Sequence, residues 1–353
     1  MTLDRIKKIT GYLLPFLLMA VFLFFAFKDV HPDEVLQILQ NSSLLYLGLF
    51  LAVFLLSHYL RALRWKYILG SVKEDASVWR LWGALMVGYG VNCVVPRLGE
   101  VYRALFVGKW ENLSRPSMLG TIVVERVIDI FVLLLSVLVS VLIYTGDLYD
   151  KISWLRSTVY IGSVAILGII VILYLTVRYK EKFYNSIVKF VSKFSEKIAD
   201  KLGYAFAMFA DGFATLKGTK NYTFTIILSI VIMIVYGANS YIGFFVVNMQ
   251  EAQEVTFAMG WILMTISAFG IIIPTPGGTG SYHAISIFVL TQLFGFSVDL
   301  SAAYAILTHL ISYILFIFST VISIYLTNRS LHKQGKPKEN FLSVVKLNRE
   351  NGL

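Results

Sequence analysis

The 353-residue chain is 57% hydrophobic and 15% charged, with a mean hydropathy of +0.73, where soluble domains run near ~45–50% apolar and ~25% charged. One protein core cannot hide that much apolar surface, so part of the solvent is lipid and an ordinary water-soluble enzyme is excluded. The formal charge of +10 would suggest nucleic acid in a soluble protein, but in a membrane chain the position of each charge matters more than the sum; no nucleic-acid partner is expected.

Lys and Arg at positions 5, 7 and 8 precede a first apolar run, 9–27, which ends in Phe25-Ala26-Phe27-Lys28. Those residues lack the small side chains of a cleavage site, so the run is read as a retained span. Further runs near the ~20 residues that cross a bilayer fall at 44–60, 78–95, 117–144, 158–177, 222–248, 257–273 and 302–327. A shorter apolar stretch covers 285–296.

Basic residues mark the cytoplasmic side. They cluster at the N-terminus, after the second run (Arg61, Arg64, Lys66, Lys73, Arg80), after the third (Arg97, Arg103, Lys109, Arg115), across 178–220, and in the tail. The poorly basic connections 28–43 and 145–157 and the acidic Glu251–Glu254 segment belong outside. The run 78–95 has basic flanks at both ends, so it enters and leaves from the cytoplasm. By the same parity, 257–296 dips in from outside and returns.

The expected fold is therefore an all-α polytopic membrane protein with six spanning helices and two opposed re-entrant hairpins, arranged as an inverted repeat with both termini cytoplasmic. Each half holds span, span, hairpin, span. Each hairpin breaks at proline and glycine, at Val95-Pro96-Arg97-Leu98-Gly99 and at Pro274-Thr275-Pro276-Gly277-Gly278-Thr279-Gly280. Such matched breaks point to a transporter's central site. The membrane domain is expected over 1–327, followed by a basic cytoplasmic tail over 328–353. Within 182–217, apolar residues at helical spacing oppose Lys189, Lys193, Lys197 and Lys201. This predicts an amphipathic helix lying on the anionic cytoplasmic leaflet, with an ordinary connector as the alternative.

Charges inside apolar runs are costly and are functional candidates by default. Arg97, Glu100 and Arg103 follow Pro96, and Glu100 reaches either arginine at helical spacing. The planar fork of arginine suits phosphate, although a cytoplasmic rim of charge would read the same way. Glu125, Arg126 and Asp129 share the next run, where two acids to one base leave a carboxylate for Arg97 or Arg103. Pro274, Thr275, Pro276, Gly277 and Gly278 form a loop in which irregular backbone must be buried or line a wet cavity. Thr279 or Ser281 can cap the following helix, whose free N–H groups attract anions.

His283 and His309 lie at lipid depth without a third ligand spaced near them, so no metal is assigned. The single cysteine, Cys93, excludes an intrachain disulfide and a Cys-rich zinc site. No cofactor fingerprint, P-loop or hydrolase motif is present.

Taken in order, Arg61-Ala62-Leu63-Arg64-Trp65, Pro96-Arg97-Leu98-Gly99-Glu100 with Arg103, Glu125-Arg126 with Asp129, and Pro274-Thr275-Pro276-Gly277-Gly278 resemble the membrane domain of lysylphosphatidylglycerol synthases and their stand-alone relatives, the flippase-like family. The resemblance runs to about Thr327. It implies an integral prokaryotic plasma-membrane protein that flips or binds lipids. The synthases carry a soluble aminoacyl-transferase domain after the membrane part. This chain ends soon after its last run, so that activity is not carried over.

Relatives often have an Arg-Glu pair shortly after the Pro-Gly-Gly loop, where this chain has Tyr282-His283. The change puts a lysyl lipid substrate in doubt, while His283 can still hydrogen-bond a phosphate or sugar. The leading expectation is a flippase or lipid-binding translocator for a phosphate-bearing lipid. One competing expectation is an intramembrane enzyme using Glu125, Asp129 or His283 as acid–base groups. The other is a scaffold subunit for a cell-envelope glycosyltransferase. The oligomeric state stays open.

Overall fold

A computed structural model describes residues 3–70, 72–144, 148–179 and 218–345, and between the last two segments only 188–193, 195–196, 199–200 and 203. The amphipathic helix expected at 182–217 and the tail beyond 345 therefore lie largely or wholly outside the described residues. All regular structure among the described residues is helical.

The helices are α1 (Leu3–Phe27), α2 (Pro32–Gln40), α3 (Leu44–Ile68), α4 (Val78–Val94), α5 (Gly99–Glu111), α6 (Arg115–Ile143), the single turn α7 (Leu148–Lys151), α8 (Ser153–Tyr179), α9 (Thr219–Val246), α10 (Phe257–Ile272), α11 (Ser281–Phe288) and α12 (Val298–His332). A π-helical turn, Val289–Leu293, extends α11. Among the described residues, four helices are long and apolar enough to cross a membrane: α3, most of α6, α9 and α12. A fifth span results if α1 and α2, bent by 86° at their junction, count as one. The chain is thus a multi-pass membrane protein. Of the six expected spans, the remaining run falls within the 27 residues of α8.

Helix starts follow local chemistry. Ser114, Thr256 and Ser297 accept the backbone N–H three residues on, at 3.3 Å in each case, and so cap α6, α10 and α12. Pro116 sits in the first turn of α6, where its missing N–H costs nothing. The helix α12 runs to His332, five residues past the expected end of the membrane domain. The segment after it folds back on the bundle: Arg115 Nη2 donates to Val344 O at 2.8 Å, and Phe341 packs against Tyr102 and Phe106.

Two helix–break–helix units stand out. In the first, α4 ends at Val95, which is extended (φ −125°, ψ 109°) because Pro96 follows it. The chain then turns through Arg97 at φ +64° into α5. The base of this unit is closed by Glu111 at the end of α5. Its carboxylate takes the Lys73 ammonium at 2.9 Å, the Ser77 N–H at 3.1 Å and Arg80 at 3.5 Å. In the second unit α10 stops before Pro274, and Gly277, Gly278 and Gly280 all adopt positive φ before α11. Its base is closed by Gln253 Nε2 donating to Phe294 O at 2.7 Å.

Packing is tight and uses small residues, as expected where lipid removes most of the hydrophobic drive between helices. The helix α4 lies against α12, with Gly83 facing Ser323 and Thr320 Oγ1 donating to Met86 O at 2.7 Å. One core gathers Trp65, Leu81, Leu85, Met86, Phe106 and Trp110; a second gathers Phe244, Leu263, Ile266, Leu290 and Tyr304. The outward faces carry large apolar side chains such as Phe24, Leu142 and Phe318, which fit a lipid environment.

The first helix, α1, packs on α11 and on the turn before it. A Cβ on Gly280 would lie 2.7 Å from Met19 O, and φ there is +86°. Gly295 has a similar φ of +74° with open space around it. Gly280→Ala should therefore lose about 2 kcal/mol more stability than Gly295→Ala, the difference being the steric clash with α1. Thermal unfolding of the two variants in the same detergent checks this, and equal losses would show that α1 is not seated on Gly280.

Candidate functional site

The end of α3 carries Arg61 and Arg64 one turn apart, with Trp65 beside them. Both arginines point inward because α3 continues as helix to Ile68 and packs along α9. Opposite them, α6 presents Glu125 and Asp129 on one face, and α5 brings in Arg103.

Glu125, with no exposed surface, is the centre. Its Oε1 accepts from Arg61 Nη2 at 2.5 Å and Arg64 Nη2 at 3.4 Å, and its Oε2 accepts from Arg103 Nη2 at 2.8 Å. Asp129 accepts from Arg64 Nη2 at 2.5 Å and Arg61 Nη2 at 3.1 Å. The spare guanidinium donors of α3 reach α9, Arg61 to the Tyr236 hydroxyl at 3.2 Å and Arg64 to Ser229 Oγ at 3.1 Å. At the edge, Arg126 lies 3.6 Å from Asp129 and 3.9 Å from Glu100.

Four guanidinium groups thus meet three carboxylates, and one positive charge is left over. Arg103 shows the surplus most directly. It is 2% exposed, its Nε and Nη1 have no partner among the described residues, and its Cζ sits 4.9 Å from the centroid of the Trp65 ring. The aromatic face offsets part of the cost of the buried cation, but it cannot accept those two N–H groups.

The two proline–glycine breaks lie against each other. Arg97, an exposed residue, donates from Nη2 to Ile272 O at 3.1 Å, next to the second break. The Tyr313 hydroxyl of α12 donates to Cys93 O just before the first break. Each break is stitched internally: the Gly99 N–H donates to Asn92 Oδ1 at 2.7 Å, and Ser281 Oγ donates to Gly270 O at 2.6 Å while accepting from Thr275 Oγ1 at 2.9 Å. Behind the second break, His309 Nε2 meets Gly277 O at 3.0 Å and the Gly280 N–H donates to His283 Nδ1 at 3.3 Å.

The sequence candidates therefore fall into two groups. Arg103, Glu125, Arg126, Asp129 and, at the edge, Glu100 belong to the charge network. Pro274, Thr275, Pro276, Gly277, Gly278 and His283 form the second break and its flank. Arg97 joins the second group and touches neither Glu125 nor Asp129, and Glu100 faces Arg126 where Arg97 or Arg103 was expected. Arg61, Arg64, Tyr236 and Ser229 were not singled out as site residues. The first two looked like positive-inside flank residues. Their spacing on one helix face ahead of Trp65, Tyr67 and Ile68 was the available signal that the helix carries them inward.

Removing one partner from a buried ion cluster leaves a naked charge and costs roughly 3–5 kcal/mol. Glu125→Gln, which leaves four guanidinium groups facing two carboxylates, should reach that range. Arg103→Met keeps packing over Trp65 and removes the surplus charge, so it should cost at least ~2 kcal/mol less. Thermal unfolding of both variants in detergent measures the gap; equal losses would mean that Arg103 is fully compensated.

A family model described as the lysylphosphatidylglycerol synthase transmembrane region matches residues 12–319. A UPF0104 membrane protein of Methanocaldococcus jannaschii is 22% identical over 341 residues, covering 93% of this chain and 98% of its own length. A UPF0104 membrane protein of Methanothermobacter thermautotrophicus is 25% identical over 299 residues, 80% of this chain and 86% of its own. The glycosyltransferase AglD of Haloferax volcanii is 29% identical over 163 residues, 45% of this chain and 26% of that protein. No solved structure matches the chain. With the family match spanning most of its length, the chain belongs to the lysylphosphatidylglycerol synthase transmembrane-region family.

Proposed function

We propose that the protein binds a phosphate-bearing lipid, anionic or polyprenyl-type, and moves it across a prokaryotic plasma membrane. The observation that carries this reading is Arg103, a buried cation with two unpartnered donors in a cluster holding more positive than negative charge. A phosphate oxygen at either donor would complete part of this bonding and balance the cluster. Glu125 and Asp129 hold the arginines in place, and Arg97 meets the head group at the apposed breaks. The glycine-rich second break supplies the freedom to hinge.

In this reading α1, α3, α6, α8, α9 and α12 span the membrane. The units α4–α5 and α10–α11 are re-entrant hairpins from opposite faces. Three features support that topology. Each hairpin closes at its base, through Glu111 and through Gln253. Each breaks at proline and glycine. The packing order α3–α4–α5–α6 recurs as α9–α10–α11–α12, with α3 against α9, α4 against α12 and α10 against α6, as an inverted repeat requires. Positive-inside charge puts both termini in the cytoplasm, and archaeal relatives agree with a prokaryotic membrane. The lysines of 182–217 would rest on the anionic leaflet.

A second reading draws on the similarity to a protein named as a glycosyltransferase: the chain would serve as a membrane partner in cell-envelope glycosylation. Native mass spectrometry of lipids retained through gentle purification separates the two. Wild type should keep one phosphate-bearing class, and Arg97→Ala/Arg103→Met should reduce it about tenfold, the effect of losing a charge-assisted hydrogen bond. The same bulk lipid on both proteins would end the translocator reading and favour the partner reading.

The topology has its own test in a Cys93→Ala background. Single cysteines at Glu74 and Asn112 should both label from the cytoplasm, and those at Ala252 and Ser297 both from outside. Opposite labelling within either pair would remove that hairpin.

A further inference from the structure

A cleft of about 560 Å3 opens between α1, α11 and α12, away from the arginine cluster. Its walls are apolar: Met19, Leu23 and Phe27 repeat every fourth residue along α1, facing Ile306 and Leu310 of α12. The volume lies within the range of roughly 300–1,000 Å3 typical of small-ligand sites. Its floor is polar. His283 and His309 meet edge-to-face there with ring centroids 4.7 Å apart, beside Thr279 and Tyr313.

The backbone around the rings fixes what each can offer. The Gly280 N–H can only donate, so His283 Nδ1 receives it on a lone pair and the neutral ring carries its hydrogen on Nε2. Gly277 O can only accept, so His309 Nε2 carries that ring's hydrogen and Nδ1 keeps a lone pair. Neither remaining nitrogen has a partner among the described residues, and both rings line the cleft. Two touching rings that both line an apolar cleft therefore carry one free N–H donor and one free nitrogen acceptor.

A phosphate, which only accepts, would satisfy His283 and meet the lone pair of His309. A hydroxyl both donates and accepts and satisfies the two together. We propose that this cleft is a binding site for a lipid alcohol, a single apolar chain carrying a hydroxyl, with the chain between α1 and α12 and the hydroxyl bridging His283 Nε2 and His309 Nδ1. The assignment is independent of the phosphate reading, since it uses none of the arginines. It gives a role to His283 and His309 together, both of which line the cleft.

Radiolabelled farnesol and the hydrocarbon farnesane, each added to the full chain in lipid nanodiscs, test this by scintillation proximity. Wild type should retain farnesol about tenfold better than farnesane, the worth of two hydrogen bonds at a buried site. His283→Phe keeps the ring against Phe27 and should bring farnesol down to the farnesane level. Leu310→Trp, a change at a lipid-facing wall residue, should fill the slot and abolish retention of both. Equal retention of farnesol and farnesane by wild type, or full retention of farnesol by His283→Phe, would overturn the proposal. Farnesyl phosphate measured in the same preparation reports the phosphate reading separately, so either can fall without the other.

Discussion

A single carboxylate, Glu125, holds three helices to one point inside the membrane. It is fully buried and touches arginines from α3 and α5 while Asp129, one turn along α6, shares the α3 pair. Neither acid nor base is tolerable alone at that depth. Assembly of α3, α5 and α6 is therefore close to all-or-none: each helix brings charges that only the others can neutralise. The charge registry also fixes rotation, because turning α3 by one residue would withdraw Arg61 and Arg64 from α6. Packing against lipid could not specify rotation this strongly, since lipid tails and leucines are nearly equivalent neighbours.

The balance within that cluster also decides what it can do. A fully neutral set would be structural. Here the excess sits on Arg103, which is stacked on Trp65 and short of two acceptors. The site thus combines Arg61 and Arg64, on which Nε alone among the nitrogens lacks a partner among the described residues, with Arg103, on which both Nε and Nη1 do. Rigid neighbours around an incompletely bonded group are what preorganised anion recognition requires.

Much of the fold was legible because its signals are local. Apolar runs set helix lengths, and Pro96 and Pro274 set the breaks. Parity of the basic flanks called for two units that return to the side they came from; what the structure adds is a polar bridge across each helix–break–helix unit, at Glu111 and at Gln253. The site was less legible because pairing is a tertiary property. Helical spacing correctly put Glu125 beside Asp129 but could not say that their partners come mainly from α3. Arg61 and Arg64 lie at the boundary between an apolar run and a basic one, where flank residues and buried residues have the same composition. The helix α2 and its 86° bend from α1 were not anticipated either, since 28–43 reads only as a poorly basic connection.

The α4–α5 unit is gripped at its base by ion pairs and held at its tip by only two hydrogen bonds among the described residues, and this makes it a lever that slides along α12. Its 17-residue arm, α4, is about 25 Å long. A tilt of about 5° at the Glu111 fulcrum therefore displaces the tip by about 2 Å, enough to part Arg97 from Ile272 while leaving the ion pairs at the base almost unchanged. The contact between the two breaks is thus sensitive to small motions at the far end of α4, and the pivot that would set those motions is a single acidic side chain.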